Sequence, residues 1–80
     1  MPLVERVREI IKNTLGAHHD FSSVTEGDNL YDAGLNSHEA VSLMVALEES
    51  FGIEFPDHLI SRGTFESVGA IARALKEIGA

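Results

Sequence analysis

A single serine, Ser37, stands where side-chain chemistry is most easily concentrated in this chain. It follows Gly34-Leu35-Asn36 and opens a strongly amphipathic, acidic run from Ser37 to about Phe51. A serine at a helix start is ordinary N-cap chemistry. A serine held there by a glycine-containing turn, with an acidic surface behind it, is also a candidate attachment point for a tethered group. Its hydroxyl can form a phosphodiester. Backbone N–H groups and the helix dipole at that end favour the resulting negative charge. Gly34 lets the backbone turn tightly beside the site.

Other chemistry finds less support. His38 adjoins Ser37, but neighbouring helical residues do not face each other. No Gly-x-Ser-x-Gly elbow and no placed third member of a triad accompany the serine. No catalytic residues are expected. His18-His19-Asp20 lacks the four-residue spacing of a helical metal-binding pair and reads as a polar loop. Asp28, Asp32 and Glu39 carry the spacing of three calcium-loop ligands, but Leu30 replaces another ligand and Ala33 the required glycine. No metal site is expected. Tyr31, Phe51, Phe55 and Phe65 read as core. The chain has no cysteine, so disulfides, zinc-thiolate sites and a protein-derived thiol are excluded.

The elements that must position Ser37 follow from periodicity. Leu3, Val7, Ile10, Ile11 and Leu15 recur at helical spacing, predicting a first helix over Pro2 to Leu15 closed by Gly16. Residues Ala17 to Asn36 hold no sustained period, a long connection for a small domain. Val24, Leu30, Tyr31 and Leu35 should pin it to the core. The second helix is predicted over Ser37 to Phe51, interrupted by Gly52. A short third helix is expected over Asp57 to Ser61. Thr64 is expected to cap a last helix over Phe65 to Ile78, whose apolar stripe is Phe65, Val68, Ile71, Ala72 and Leu75. No strand pattern is long enough to count. The expectation is an all-α, four-helix bundle with one short helix and a long first loop, a single domain over residues 1–80. A core this small favours compact helical packing.

Charge is unevenly placed. Thirteen acids oppose six bases for a net charge of −7, and no Lys or Arg occurs from Asn13 to Ser61. Nucleic acid is not an expected partner, because binding it needs cations facing phosphates. Basic protein surfaces are natural partners; a merely solvated acidic surface accounts equally well for the sign. No apolar run approaches the roughly 20 residues of a membrane span. The absence of disulfides fits the expected cytoplasmic location, and a monomer is expected.

The second helix has two faces. At about 100° per residue, Ala40, Leu43, Ala46, Leu47 and Phe51 cluster on one side, with Met44 at its edge. The other side carries Ser37, His38, Val41, Val45, Glu48 and Glu49. Val41 and Val45 lie one turn apart among carboxylates, the pattern of a partner surface: valines for desolvation, acids for steering and register. Single exposed valines are nevertheless common.

Two segments carry a family resemblance: Leu30-Tyr31-Asp32-Ala33-Gly34-Leu35-Asn36-Ser37-His38, and Leu47-Glu48-Glu49-Ser50-Phe51-Gly52-Ile53-Glu54-Phe55-Pro56. Together with Thr64-Phe65-Glu66-Ser67-Val68 they resemble the acyl carrier protein family over nearly the whole chain. The resemblance implies a four-helix carrier fold and 4′-phosphopantetheine on Ser37, flanked by Gly34, Asn36 and His38. It also implies a second helix read by partner enzymes through Val41, Val45, Glu48 and Glu49. The prosthetic group would supply the thiol that the chain lacks, holding an acyl group as a thioester. Implied partners are a phosphopantetheinyl transferase, an acyl- or aminoacyl-loading ligase and downstream transfer enzymes. Two positions depart from the family: Asn36 replaces its aspartate and His38 its leucine. The Gly-Leu-x-Ser turn and the Ile-Glu-Phe-Pro ending are similar to discrete aminoacyl carrier proteins, which are loaded by ligases resembling class II aminoacyl-tRNA synthetases. An aminoacyl or other short acyl group, an amino acid above all, is thus the expected load. A fatty-acid or polyketide-type carrier and an unmodified interaction module are the alternatives.

Overall fold

Helix α1 spans Leu3–Leu15 and buries Val7, Ile10, Ile11 and Leu15, the stripe that the heptad-like spacing places on one side. The computed structural model describes residues 3–17 and 19–80. Pro2 and His18, read as part of the first helix and of the polar loop, lie outside the described residues. Helix α2 spans Ser37–Phe51 and buries Ala40, Leu43 and Leu47. Helix α3 spans Val68–Ile78 and buries Val68, Ile71, Ala74 and Leu75 among others. Helix α1 packs against both α2 and α3. Leu43, Leu47, Ile71, Leu75 and Val7 are completely enclosed, each stabilising the fold by about 1.5–3 kcal/mol. The fold is all-helical, with three α-helices and no strand among the described residues.

Two expectations are corrected in the second half of the chain. The short third helix is a single 3₁₀ turn, Asp57–Leu59. The last helix begins at Val68 rather than Phe65, because a second 3₁₀ turn, Arg62–Phe65, precedes it. Ser67, not Thr64, is the cap: its Oγ accepts the Ala70 N–H at 3.0 Å. Thr64 is buried instead, its hydroxyl 3.2 Å from that of Ser61. Phe55 and Phe65 are buried with their rings 5.5 Å apart, while Tyr31 and Phe51 are half-buried.

The long connection from residue 16 to residue 36 is tied to every helix. The Arg8 guanidinium of α1 donates to the Val24 carbonyl at 2.7 Å. The Leu30 N–H donates to the Glu66 carbonyl at 2.7 Å, and the Gly69 N–H of α3 donates to the Glu26 carbonyl at 2.9 Å. Leu30 and Leu35 are buried, and Val24 and Tyr31 pack against the core as expected. These bonds satisfy backbone groups that a loop lying on the core would otherwise bury unpaired.

Candidate attachment site

The turn before α2 is assembled from short-range bonds. The Asn29 side chain accepts the Tyr31 and Asp32 N–H groups at 2.8 and 3.1 Å. The Leu35 N–H then returns to the Leu30 carbonyl at 3.0 Å. Gly34 sits at φ +118°, a conformation that side-chain-bearing residues rarely adopt. A Cβ there would also stand 3.2 Å from Nδ1 of His19. Gly34 is therefore favoured by its backbone angle, and a side chain there would also press on the His19 ring.

Asn36, rather than Ser37, is the N-cap. Its side chain accepts the Glu39 N–H at 2.8 Å, and the Glu39 carboxylate accepts the Asn36 N–H at 3.1 Å, the reciprocal capping box. Glu39 meets a further partner: Nε2 of His19 lies 2.7 Å and 2.9 Å from its two carboxylate oxygens. The His19 ring also lies 5.3 Å from that of Phe21. The first loop thus braces the start of α2 through a half-buried histidine–glutamate contact that reading along the chain did not bring out; its partners are twenty residues apart in sequence.

Ser37 consequently occupies the first helical position. It is exposed, and its hydroxyl makes no hydrogen bond among the described residues. His38 is exposed and its carbonyl accepts the Ser42 hydroxyl at 3.3 Å. Val41 and Val45 are 55% and 43% exposed, large values for apolar residues. Glu49 is exposed. Glu48 differs from it: the carboxylate turns back beyond the helix end and accepts the Phe55 N–H at 2.9 Å.

A groove of about 270 Å³ opens beside Ser37. One wall is Ser37, Val41 and Met44 of α2; Tyr31, Ile60 and Arg62 belong to the rest of the lining. The Arg62 guanidinium carbon lies 3.7 Å from the centroid of the Tyr31 ring, a close cation–π stack. Ile60 is 49% exposed and continues the apolar surface of Val41 across the groove. Ile60 closes the Asp57–Leu59 turn and Arg62 opens the Arg62–Phe65 turn; the sequence reading singled out neither as a site residue. A second groove, of about 480 Å³, lies between α1 and the residue 16–22 segment and shares no lining residue with the first.

The family model described as a phosphopantetheine attachment site matches residues 5–75. The chain belongs to this family: it is a carrier, not an enzyme, and its cofactor is 4′-phosphopantetheine. An exposed, unbonded serine hydroxyl at a helix start beside an open groove fits such a group. An aminoacyl carrier protein of Agrobacterium fabrum (strain C58 / ATCC 33970) is 39% identical over 72 residues, covering 90% of this chain and 87% of that one. Among solved structures, this chain is similar to one of an engineered Bradyrhizobium japonicum glycine:[carrier protein] ligase complexed with a carrier protein from Agrobacterium tumefaciens and ATP. The TM-score is 0.88 at 36% identity, covering 96% of this chain and 100% of that chain. A holo acyl carrier protein of Nitrosomonas europaea matches with a TM-score of 0.80 at 30% identity, covering 96% of this chain and 95% of the other.

Proposed function

We propose that residues 1–80 act as one monomeric, cytoplasmic carrier domain that bears 4′-phosphopantetheine on Ser37 and is charged with an amino acid by a separate ligase. The observation that carries the attachment site is the exposed Ser37 hydroxyl at the first position of α2, beside a groove and unused by the fold. In the modification, the serine oxygen displaces adenosine bisphosphate from coenzyme A. One phosphodiester forms, one pyrophosphate bond breaks, and the serine proton leaves with the displaced bisphosphate. Once attached, the group supplies the thiol that carries the load as a thioester. Gly34, Asn36 and His38 flank the serine, and Asn36 fixes the helix start. Partner enzymes dock on Val41 and Val45 with Glu49 at the rim. Glu48 belongs to the same face but is engaged by Phe55. In the four-helix arrangement of the carrier fold, the Asp57–Leu59 turn takes the place of the short helix.

The aminoacyl reading rests on the likeness to the Agrobacterium carriers and on Asn36 and His38 at the attachment turn. An α-ammonium would not enter the apolar core, since burying it unpaired is costly. The load would ride exposed and be offered to a downstream transfer enzyme. A long fatty chain would instead gain about 0.8 kcal/mol per buried methylene.

The test is direct. Wild-type protein is incubated with coenzyme A and a phosphopantetheinyl transferase, then weighed intact and fragmented. One added phosphopantetheine on Ser37 is expected, and none on Ser37→Ala. The holo protein is then offered amino acids with a glycine:[carrier protein] ligase and, separately, fatty acids with an acyl ligase. Addition at Ser42 or Ser50 refutes the site. Efficient fatty loading that perturbs core resonances refutes the amino acid load but leaves the carrier intact. No modification in the native cell would favour the unmodified interaction module.

A further inference from the structure

Arg62 occupies an unusual place in this charge distribution. Nine of the thirteen acids fall between Asn13 and Ser61, a stretch without one Lys or Arg; Arg62 is the next residue. It is also the one charged side chain among those lining the groove beside Ser37. With acids so abundant, a carboxylate partner would be the default. Yet the ion pairs among the described residues are His19 with Glu39 and His58 with Glu77, neither involving Arg62. Its N–H groups make no hydrogen bond there either.

Its guanidinium carbon instead lies over the Tyr31 ring, 3.7 Å from the centroid. Stacking immobilises a planar cation while leaving its N–H groups, which project in the plane, free to donate. Tyr31 is itself fixed in the turn that presents the serine: its N–H donates to Asn29, and its carbonyl accepts from Gly34 at 3.1 Å. The stack therefore joins the far side of the groove to the Ser37 turn. A purely structural role would be to close that turn against the Arg62–Phe65 segment. A phosphodiester on Ser37 would add negative charge to an already acidic region. A pre-stacked guanidinium is the kind of donor that binds phosphate oxygens with short, charge-assisted bonds.

We propose that Arg62, set over the Tyr31 ring, receives the phosphodiester of the group on Ser37 and sets the direction in which the arm leaves the protein. This rests on the Ser37 reading above. It assigns Arg62 a positioning role that a carrier needs only after modification.

The test compares isotope-labelled apo protein with the same protein converted by coenzyme A and transferase, conversion and site being fixed by intact and fragment mass. The Arg62 Nε–Hε resonance should shift on conversion and its exchange with water should slow. Both effects should shrink as ionic strength approaches about 1 M, where the screening length is about 3 Å. In holo Arg62→Gln the phosphorus resonance should sharpen relative to wild type, and in holo Tyr31→Ala it should sharpen in part. Backbone amide spectra of the apo variants check that the fold is kept. A modified chain whose Arg62 resonance does not move, and whose phosphorus line is the same in wild type and Arg62→Gln, overturns this proposal alone. Absence of the group from Ser37 overturns the attachment reading and this one with it.

Discussion

Ser37 and Asn36 adjoin in sequence and differ in task. Spacing brought the serine forward, because a glycine turn before an amphipathic run is legible in the residues themselves. It did not decide which residue caps, since Asn and Ser are nearly equal at that position. The backbone decided: Asn36 is extended at φ −106° while its side chain bonds Glu39. Two substitutions separate the tasks. Ser37→Ala should leave thermal stability almost unchanged while abolishing modification. Asn36→Ala should cost about 1 kcal/mol, a fall of roughly 4–8 °C in melting temperature for a domain this size. Equal losses in the two, measured by thermal unfolding, would contradict the assignment of the cap. Gly34→Ala meets both a left-handed backbone and the His19 ring and should cost about 1–3 kcal/mol. If calorimetry shows no loss, the turn does not depend on glycine at this position.

Among the elements, α2 was legible to both ends because a turn precedes it and Gly52, at φ 65°, closes it. The start of α3 was not. Thr64 and Ser67 are both good caps, one helical turn apart, and local sequence ranks them alike. Burial separated them: Phe65 enters the core from a 3₁₀ turn, leaving Ser67 to open the helix. Helical projection likewise treated Glu48 and Glu49 as a matched pair on one face. The chain beyond Gly52 folds back, and Glu48 accepts the N–H of buried Phe55. Glu48→Ala should therefore cost about 1–3 kcal/mol by leaving that donor unsatisfied, and Glu48→Gln much less, because the amide oxygen still accepts. Glu49→Ala should stay within about 0.5 kcal/mol of wild type. Denaturant unfolding of the three variants orders them; a Glu49 effect as large as that of Glu48 would contradict this division.

For the whole molecule, the acidic balance was plain from composition, whereas the groove formed by α2, Tyr31 and the Ile60–Arg62 segment required tertiary structure. Loading by a ligase should slow with added salt, mainly through association rate. Glu49→Lys should lower that rate with little loss of stability; an unchanged rate would move the docking face elsewhere. The ties of the long connection reach further. Bonded to Arg8 of α1, to Gly69 of α3 and, through His19, to Glu39 of α2, it is tied to all three helices. A segment tied at three such points should open with the helices rather than alone, and the domain should then behave as a single cooperative unit. Native-state hydrogen exchange reads this directly. The amides of Leu30 and Leu35, outside any helix, should be as protected as that of Leu43 in α2. Exchange through a cheaper, denaturant-independent opening would show that the connection breathes independently of the helices it joins.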